Sequence, residues 1–470
     1  MSEKDLVVIG GGPAGYVAAL RASQLGAGVT LVEENKLGGV CLNRGCIPTK
    51  FLLHATDVYK SMKNSEEYGI EVTGVAMDIT KLQQRKTKMI SNLVSGVGHL
   101  LTSASVEVIN GRARLTSPGN IEIDTGQAEK QSLQAKNIII ATGGRSAAVP
   151  IPGADSPDIM NYEDLLNLDH VPESMIIIGG GVIGVEMATV LNQIDCKVTI
   201  IEMMPRIIPT QDAEMVSVID GALKADGVNI YCGARVESIE SAGDNKKVVF
   251  SVDGQTQTIE AESVAITTGQ KPNIEGLGLE ECRVDVNGGR IVTDESMRTN
   301  VPGIYAAGDV TGGMMLAHIG FAEGRIAAEN ALGQDSAMDY SAVPQCIFTS
   351  PEIASVGLSE EESLAQGYQI EIGRFPFAAS GMASILGETR GLVKIITEKQ
   401  YSRIIGVHIA GPSASGLIAE AALAMKMELT PQEIVETIHA HPTLSETFWE
   451  SALDVTGESL HFPSKNRRKS

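Results

Sequence analysis

Short apolar runs of four or five residues, each closed by glycine, recur along the chain between amphipathic stretches. Asp-Leu-Val-Val-Ile over residues 5–9 reads as a buried strand, followed by glycines, an apolar helix through Leu25 and a second strand over 29–32. The same pattern returns with a strand over 174–178, a helix over 185–194 and a strand over 198–201. Residues 65–105 read as helical, with 80–101 the longest unbroken piece, and the segments from Val106 onward alternate as short strands. Buried strands ending in glycine are also predicted at Ile138–Ile140, Val264–Ile266 and Ile304–Ala306. The run Val149-Pro150-Ile151-Pro152-Gly153 marks a boundary, residues 335–340 form a polar connector, and a further αβ block starts at Val343. The pattern is that of an α/β protein with two Rossmann-like units.

Both units carry G-x-G-x-x-G between strand and helix, as Gly10-x-Gly12-x-x-Gly15 and Gly179-x-Gly181-x-x-Gly184. Glycines there let the backbone approach a pyrophosphate at the helix N-terminus. In each copy an acid closes the second strand 23 positions after the first glycine, Glu33 and then Glu202. That is the place of a carboxylate on a ribose hydroxyl, so two dinucleotide sites are expected. Glu202 argues for NAD because it would repel the extra phosphate of NADP, although Arg206 nearby keeps NADP open. Glu186 lies early in the second helix, where an acid can simply complement the helix dipole. Asp309 ends the Ile304 strand, placed either to accept bonds from a polyol or to cap the next turn.

The most chemically suggestive stretch is Gly38-Gly39-Val40-Cys41-Leu42-Asn43-Arg44-Gly45-Cys46-Ile47-Pro48-Thr49-Lys50. Two cysteines five positions apart can close a small, exchangeable ring. If Pro48 begins a helix, Lys50 lies on the same face as Cys46 and favours its thiolate. A zinc half-site or two spectator thiols are the competing readings, but no second cysteine cluster is present. Near the other end stands His439-Ala440-His441-Pro442-Thr443-Leu444-Ser445-Glu446. His441 and Glu446 suit a base and its orienting partner. Thr443 and Glu446 also have capping-box spacing, and the two histidines could be a metal pair.

Length and composition narrow this picture. A chain of 470 residues exceeds a single core, and 43% hydrophobic residues with 50 glycines suit a large α/β protein. Aromatic residues make up only 4% and the formal charge is -21, which disfavours nucleic acid and anionic membranes and favours basic partner modules. The six cysteines do not form a secreted disulfide framework. With no signal-peptide pattern and no membrane-length apolar run, a cytoplasmic location is expected. The basic tail 464–470 reads as a solvated end.

Taken together, these motifs resemble those of the pyridine nucleotide–disulfide oxidoreductases, and within them the dihydrolipoamide dehydrogenase branch, the E3 components of 2-oxo acid or acetoin dehydrogenase complexes. The resemblance runs from Gly10 to Glu446 and also takes in Tyr305-Ala-Ala-Gly308-Asp309 and Met315-Leu316-Ala317-His318. It implies an FAD domain over 1–145, an NAD domain over 146–268, a central domain over 269–338 and a C-terminal α+β dimerisation domain over 339–470. FAD would lie against Gly10, Gly12, Gly15, Glu33, Lys50, Ala113, Thr142, Gly143, Asp309 and the Met315–His318 run. NAD would lie among Gly179, Gly181, Gly184, Glu186, Glu202, Val236 and Gly269. Lys50 and Glu186 would pair beside the flavin. Cys41 would exchange with the substrate and Cys46 would face the flavin. His441, supplied by the other subunit of a homodimer and oriented by Glu446, would be the base. The expected partners are a lipoyl domain and an E2 core.

Arg44 departs from the smaller residue common in that family, which points to altered access near the disulfide. A sibling reductase of small disulfides and a non-catalytic NAD-binding flavoprotein are the competing functions. Glu202 and the His441 segment disfavour the first; the intact cysteines, His441 and Glu446 disfavour the second.

Overall fold

The computed structural model describes residues 3–463; the basic tail lies outside them. Three sheets organise the chain. The first is parallel at its centre, where strand β1 (Lys4–Ile9) is flanked by β2 (Val29–Glu33) and β6 (Gln131–Ile140). Strand β3 (Glu107–Asn110) pairs with β2, and the strand Ile304–Ala306 returns more than 160 residues later to pair with β6. Strands β4 (Arg112–Ser117) and β5 (Asn120–Asp124) extend β6 as an antiparallel meander. Leu6, Val7, Val8, Ile138, Ile139 and Ile140 are all inaccessible to solvent, as expected where helices and strands cover both faces of a parallel sheet.

The second sheet repeats the parallel core with the strands Ser174–Ile178, Lys197–Ile201, Asn229–Tyr231 and Ser263–Ile266. An antiparallel three-stranded sheet, Arg235–Ala242, Asn245–Val252 and Gln255–Ala261, packs beside it. The chain leaves and re-enters the first unit through a two-stranded ribbon, Gly144–Ser146 against Gln270–Pro272. The third sheet is antiparallel, with five strands between Gln345 and Gly411, and is covered by the helices Ala414–Lys426 and Glu446–Val455. The two Rossmann-like units and the C-terminal α+β unit expected from the sequence are thus all present.

Helix α1 (Pro13–Gln24) follows the first glycine turn. Helix α2 (Gly39–Arg44) is followed directly by α3 (Cys46–Lys63), and Gly45 is the only residue between them. One expectation holds only in part. The unbroken piece over 80–101 lies within helix α4 (Ile79–Ser103), but Ser65–Tyr68 is a single short turn and residues 69–78 lack regular structure. Gly69 and Gly74 sit at φ of 71° and 72°, which an α-helix does not accommodate. Asp78 then restarts the helix by accepting the Lys81 N–H at 3.0 Å. The helix of the second unit starts at Val182, three residues earlier than expected, because the glycine turn itself forms its first turn.

Candidate functional site: a dithiol between two glycine turns

The two glycine turns share closely matching backbone angles. Gly10 and Gly179 have φ of 104° and 110°, values that L side chains rarely adopt. A Cβ on Gly15 would lie 1.8 Å from the Gly10 carbonyl oxygen, and one on Gly184 would lie 2.0 Å from that of Gly179. Both helices are capped by glycine, Gly12 and Gly181, with no side-chain cap. Their first-turn N–H groups therefore remain for an anion. The turns differ in what stands over them. Gly39 of α2 packs on Gly12 so closely that a Cβ on Gly39 would be 2.7 Å from the Gly12 Cα, whereas the space beside Gly181 is open.

The acids occupy equivalent places. Glu33 accepts the N–H groups of Gly11 at 2.6 Å and Asn35 at 2.7 Å; Glu202 accepts those of Gly180 at 2.6 Å and Met204 at 2.7 Å. Burial nevertheless pushes the Glu33 carboxyl up. Arg206 turns away from the second turn to make a two-pronged ion pair with Glu361, at 2.9 and 2.6 Å.

Asp309 follows Gly308 at the end of its strand. Burial pushes its pKa up, and among the described residues no N–H or cation offsets that effect. A half-buried acid at a strand end fits a polyol chain. The hydroxyl of Thr142 donates to the Asn273 carbonyl at 2.7 Å, and Gly143 has φ of 72°. Met315 and Leu316 lead into the helix Ala317–Ala331, and the His318 Nε2 lies 2.8 Å from the Pro344 carbonyl oxygen, to which it donates. Ala113 is buried in β4. Val236 sits at a bulge of the strand Arg235–Ala242, and Gly269 has φ of 95°. These features fit one dinucleotide with a polyol arm at the first turn and a second dinucleotide at the other.

The cysteines lie at the junction of the first turn and α3. Cys46 is the first residue of α3, Lys50 follows one turn later on the same helix, and both cysteines are free thiols. The two thiols lie side by side. Their mutual interaction, together with burial, pushes the Cys41 thiol up. The same interaction, aided by the Lys50 ammonium, lowers the exposed Cys46 to about 7. The pair is therefore a proton-bearing Cys41 beside a Cys46 poised to ionise.

Lys50 reaches both carboxylate oxygens of Glu186 at 2.8 Å. Glu186 is only 3% exposed and also accepts the Phe348 N–H at 2.9 Å. The Lys50 ammonium lies 4.6 Å from the centre of the Phe348 ring. The dipole reading of Glu186 is thereby replaced by a specific partner. Phe348 itself escaped the sequence reading, since no local motif joins residues 162 positions apart. Arg44 lies 3.5 Å from Glu163, tying α2 to the second unit.

His441 belongs to a different part of the chain. Its Nδ1 lies 2.7 Å from Glu446 Oε1; because a carboxylate only accepts, Nδ1 carries a proton, which in the neutral imidazole leaves the lone pair on Nε2. Burial works to raise the Glu446 pKa, but the Thr443 N–H and His441 hold it below its ordinary value. The capping box forms only in part. Thr443 N–H donates to Glu446 Oε2 at 2.8 Å, but the Thr443 hydroxyl donates to the Ala440 carbonyl, and Ser445 is the residue that precedes the helix. His439 bonds to Glu420 at 3.0 Å, so the two histidines serve different carboxylates. Within one chain neither cysteine hydrogen-bonds to His441.

The same combination of features occurs in known proteins. Residues 4–324 match the family model described as pyridine nucleotide-disulphide oxidoreductase, and residues 343–452 match the dimerisation domain of that family. The chain is 41% identical to a dihydrolipoyl dehydrogenase of Bacillus subtilis, over 98% of this chain and 100% of the relative. It is 38% identical to the mitochondrial dihydrolipoyl dehydrogenase of Pisum sativum, over 98% and 93%. Among solved structures, LpdA from Mycobacterium tuberculosis matches with a TM-score of 0.89 at 29% identity, over 95% of this chain and 99% of that one. The HOCl-induced flavoprotein disulfide reductase RclA of Escherichia coli, in a Cu(II) complex, matches with a TM-score of 0.86 at 28% identity, over 96% and 99%. Paired glycine turns, a thiol pair and a near-complete match in sequence and fold have one common explanation: the chain belongs to the pyridine nucleotide–disulphide oxidoreductase family.

Proposed function

We propose that the protein oxidises dihydrolipoamide to lipoamide and reduces NAD+ to NADH, as the E3 component of a 2-oxo acid or acetoin dehydrogenase complex. The observation that carries this reading is the Cys41–Cys46 pair, with the lower-pKa thiol set one helical turn from Lys50.

In the oxidised protein Cys41 and Cys46 form a disulfide. A substrate thiolate attacks Cys41 Sγ, the S–S bond breaks, and Cys46 leaves as the thiolate that Lys50 favours. The second substrate thiol then attacks its own sulfur in the mixed disulfide, releasing lipoamide and a Cys41 thiol. Nε2 of His441, contributed by the partner subunit, takes the proton of the first substrate thiol, the proton of the second passes to Cys41, and Glu446 holds the imidazole in the required tautomer. FAD held beside Lys50 would supply an acceptor for the dithiol's electron pair and a hydride donor for NAD+.

Gly10, Gly12, Gly15, Glu33, Ala113, Thr142, Gly143, Asp309 and Met315–His318 would hold FAD beside Lys50. Gly179, Gly181, Gly184, Glu186, Glu202, Val236 and Gly269 would hold NAD. This reading assigns residues 1–145, 146–268, 269–338 and 339–470 to the FAD, NAD, central and dimerisation domains. Preference for NAD over NADP is supported by the Glu202 carboxylate and by the engagement of Arg206 with Glu361.

The partners in this reading are a second copy of the chain, a lipoyl domain and a basic module of an E2 core, which the charge of -21 favours. Among the described residues no helix is long and apolar enough to cross a membrane, which fits the proposed cytoplasmic location.

An anaerobic titration tests the assignment. NADH and dihydrolipoamide should each raise a long-wavelength absorbance band in the FAD-loaded protein, and NADPH or glutathione should not. A band raised by glutathione but not by dihydrolipoamide would transfer the chain to the reductases of small disulfides.

A further inference from the structure

The Lys50–Glu186 pair joins two units of the chain, yet its geometry is fixed from a third. Residues 344–348 cross from the connector into the C-terminal sheet and touch both the helix that follows Met315 and the Lys50–Glu186 pair. The Pro344 carbonyl accepts from His318 at 2.8 Å, the Phe348 N–H donates to Glu186 Oε1 at 2.9 Å, and the Phe348 ring faces the Lys50 ammonium at 4.6 Å. Glu186 already binds Lys50 through both oxygens at 2.8 Å. The ammonium is thus held between a carboxylate and an aromatic face, with the main chain of the aromatic residue fixing the carboxylate. An ammonium is attracted to the face of a ring at this separation, and a long lysine side chain otherwise has many rotamers.

We propose that Phe348 is a positioning residue of the redox centre: its ring and main-chain N–H seat the Lys50–Glu186 pair so that the ammonium stays beside Cys46. Phe348 then influences the Cys41–Cys46 couple without touching either sulfur. The C-terminal unit would serve its own chain through Phe348 and the partner's thiol site through His441. The inference rests on the redox reading of the cysteine pair.

The test is the equilibrium between the Cys41–Cys46 couple and dithiothreitol. Protein disulfide and reduced dithiothreitol yield protein dithiol and oxidised dithiothreitol, and the ratio is read by acid quench, alkylation and peptide mass in the FAD-loaded dimer at pH 8. Phe348→Leu keeps the main-chain N–H and most of the bulk but loses the ring. With Lys50 less firmly seated, the dithiol loses thiolate stabilisation, and the equilibrium should move about threefold toward the disulfide. Phe348→Tyr keeps the ring and should restore the wild-type ratio. In a Lys50→Met background Phe348→Leu should have no further effect. Should Phe348→Leu not fold, Phe348→Met carries the same expectation.

An unchanged ratio, a shift toward the dithiol, or an equal shift with and without Lys50 overturns the proposal. A wild-type pair that does not titrate as one two-electron couple overturns the redox reading itself and this proposal with it.

Discussion

Cys46 opens α3, lies beside Cys41 and has Lys50 one turn away, and its pKa is lowered to about 7. A thiol with a lowered pKa gains nucleophilicity as pH rises through that value, well before an ordinary cysteine does. Alkylation of Cys46 by iodoacetamide in the reduced protein should therefore rise with a midpoint near pH 7, followed by peptide mass. Lys50→Met removes a cation that favours the thiolate, so the midpoint should move upward and the rate at pH 7 should fall roughly fivefold. A midpoint unmoved by Lys50→Met would leave the neighbouring Cys41 and the helix terminus as the source of the shift.

Among elements, the strand–turn–helix units show what local sequence specifies. Gly10 and Gly179 need their positive φ, Gly15 and Gly184 need to lack a Cβ, and each requirement concerns neighbours within a few positions. These units were therefore readable in the sequence, as were the cysteine helix and the His441–Glu446 pair. Contacts that span the chain were not. Glu186 meets Phe348, Arg206 meets Glu361 and Asp212 meets Lys394 across 162, 155 and 182 positions, with no periodicity to announce them. Residues 69–78 were misread for a different reason: helical composition was interrupted by two glycines whose backbone the helix rejects.

Changing either third glycine to alanine should act at its own site. Gly15→Ala should lower the FAD content of the purified protein, measured by absorbance. Gly184→Ala should leave FAD in place and weaken NADH binding, measured by calorimetry. Relieving each overlap should cost about 1–3 kcal/mol. Loss of FAD from the Gly184→Ala protein would show that the two units do not act separately.

In the whole molecule, buried charge fastens the second Rossmann-like unit to the C-terminal sheet. Lys394 is buried and bonds to Asp212 at 2.9 and 3.1 Å, and it also meets Glu360 at 2.7 Å and Glu214 at 3.2 Å. Removing one partner leaves an uncompensated buried carboxylate, so Lys394→Met should destabilise the protein by about 3–5 kcal/mol, measured by urea unfolding. Replacing Asp212 with Asn in the same chain should recover part of that loss.

The match to a dimerisation domain carries the assembly argument further. If each site takes Cys41 from one subunit and His441 from the other, His441→Ala and Cys41→Ala chains should complement on mixing. Random reassociation gives heterodimers with one intact and one doubly defective site, so about a quarter of wild-type activity should return. Confirmed heterodimers without activity would place both groups in a single subunit.

The close approach of Gly39 to Gly12, and the open space beside Gly181, separate two otherwise matching cradles. A guest at the first cradle would share its surroundings with α2, whereas a guest at the second would meet no such element beside Gly181. One architecture repeated in a single polypeptide would thereby retain one nucleotide as a permanent fixture and exchange the other with the surrounding pool.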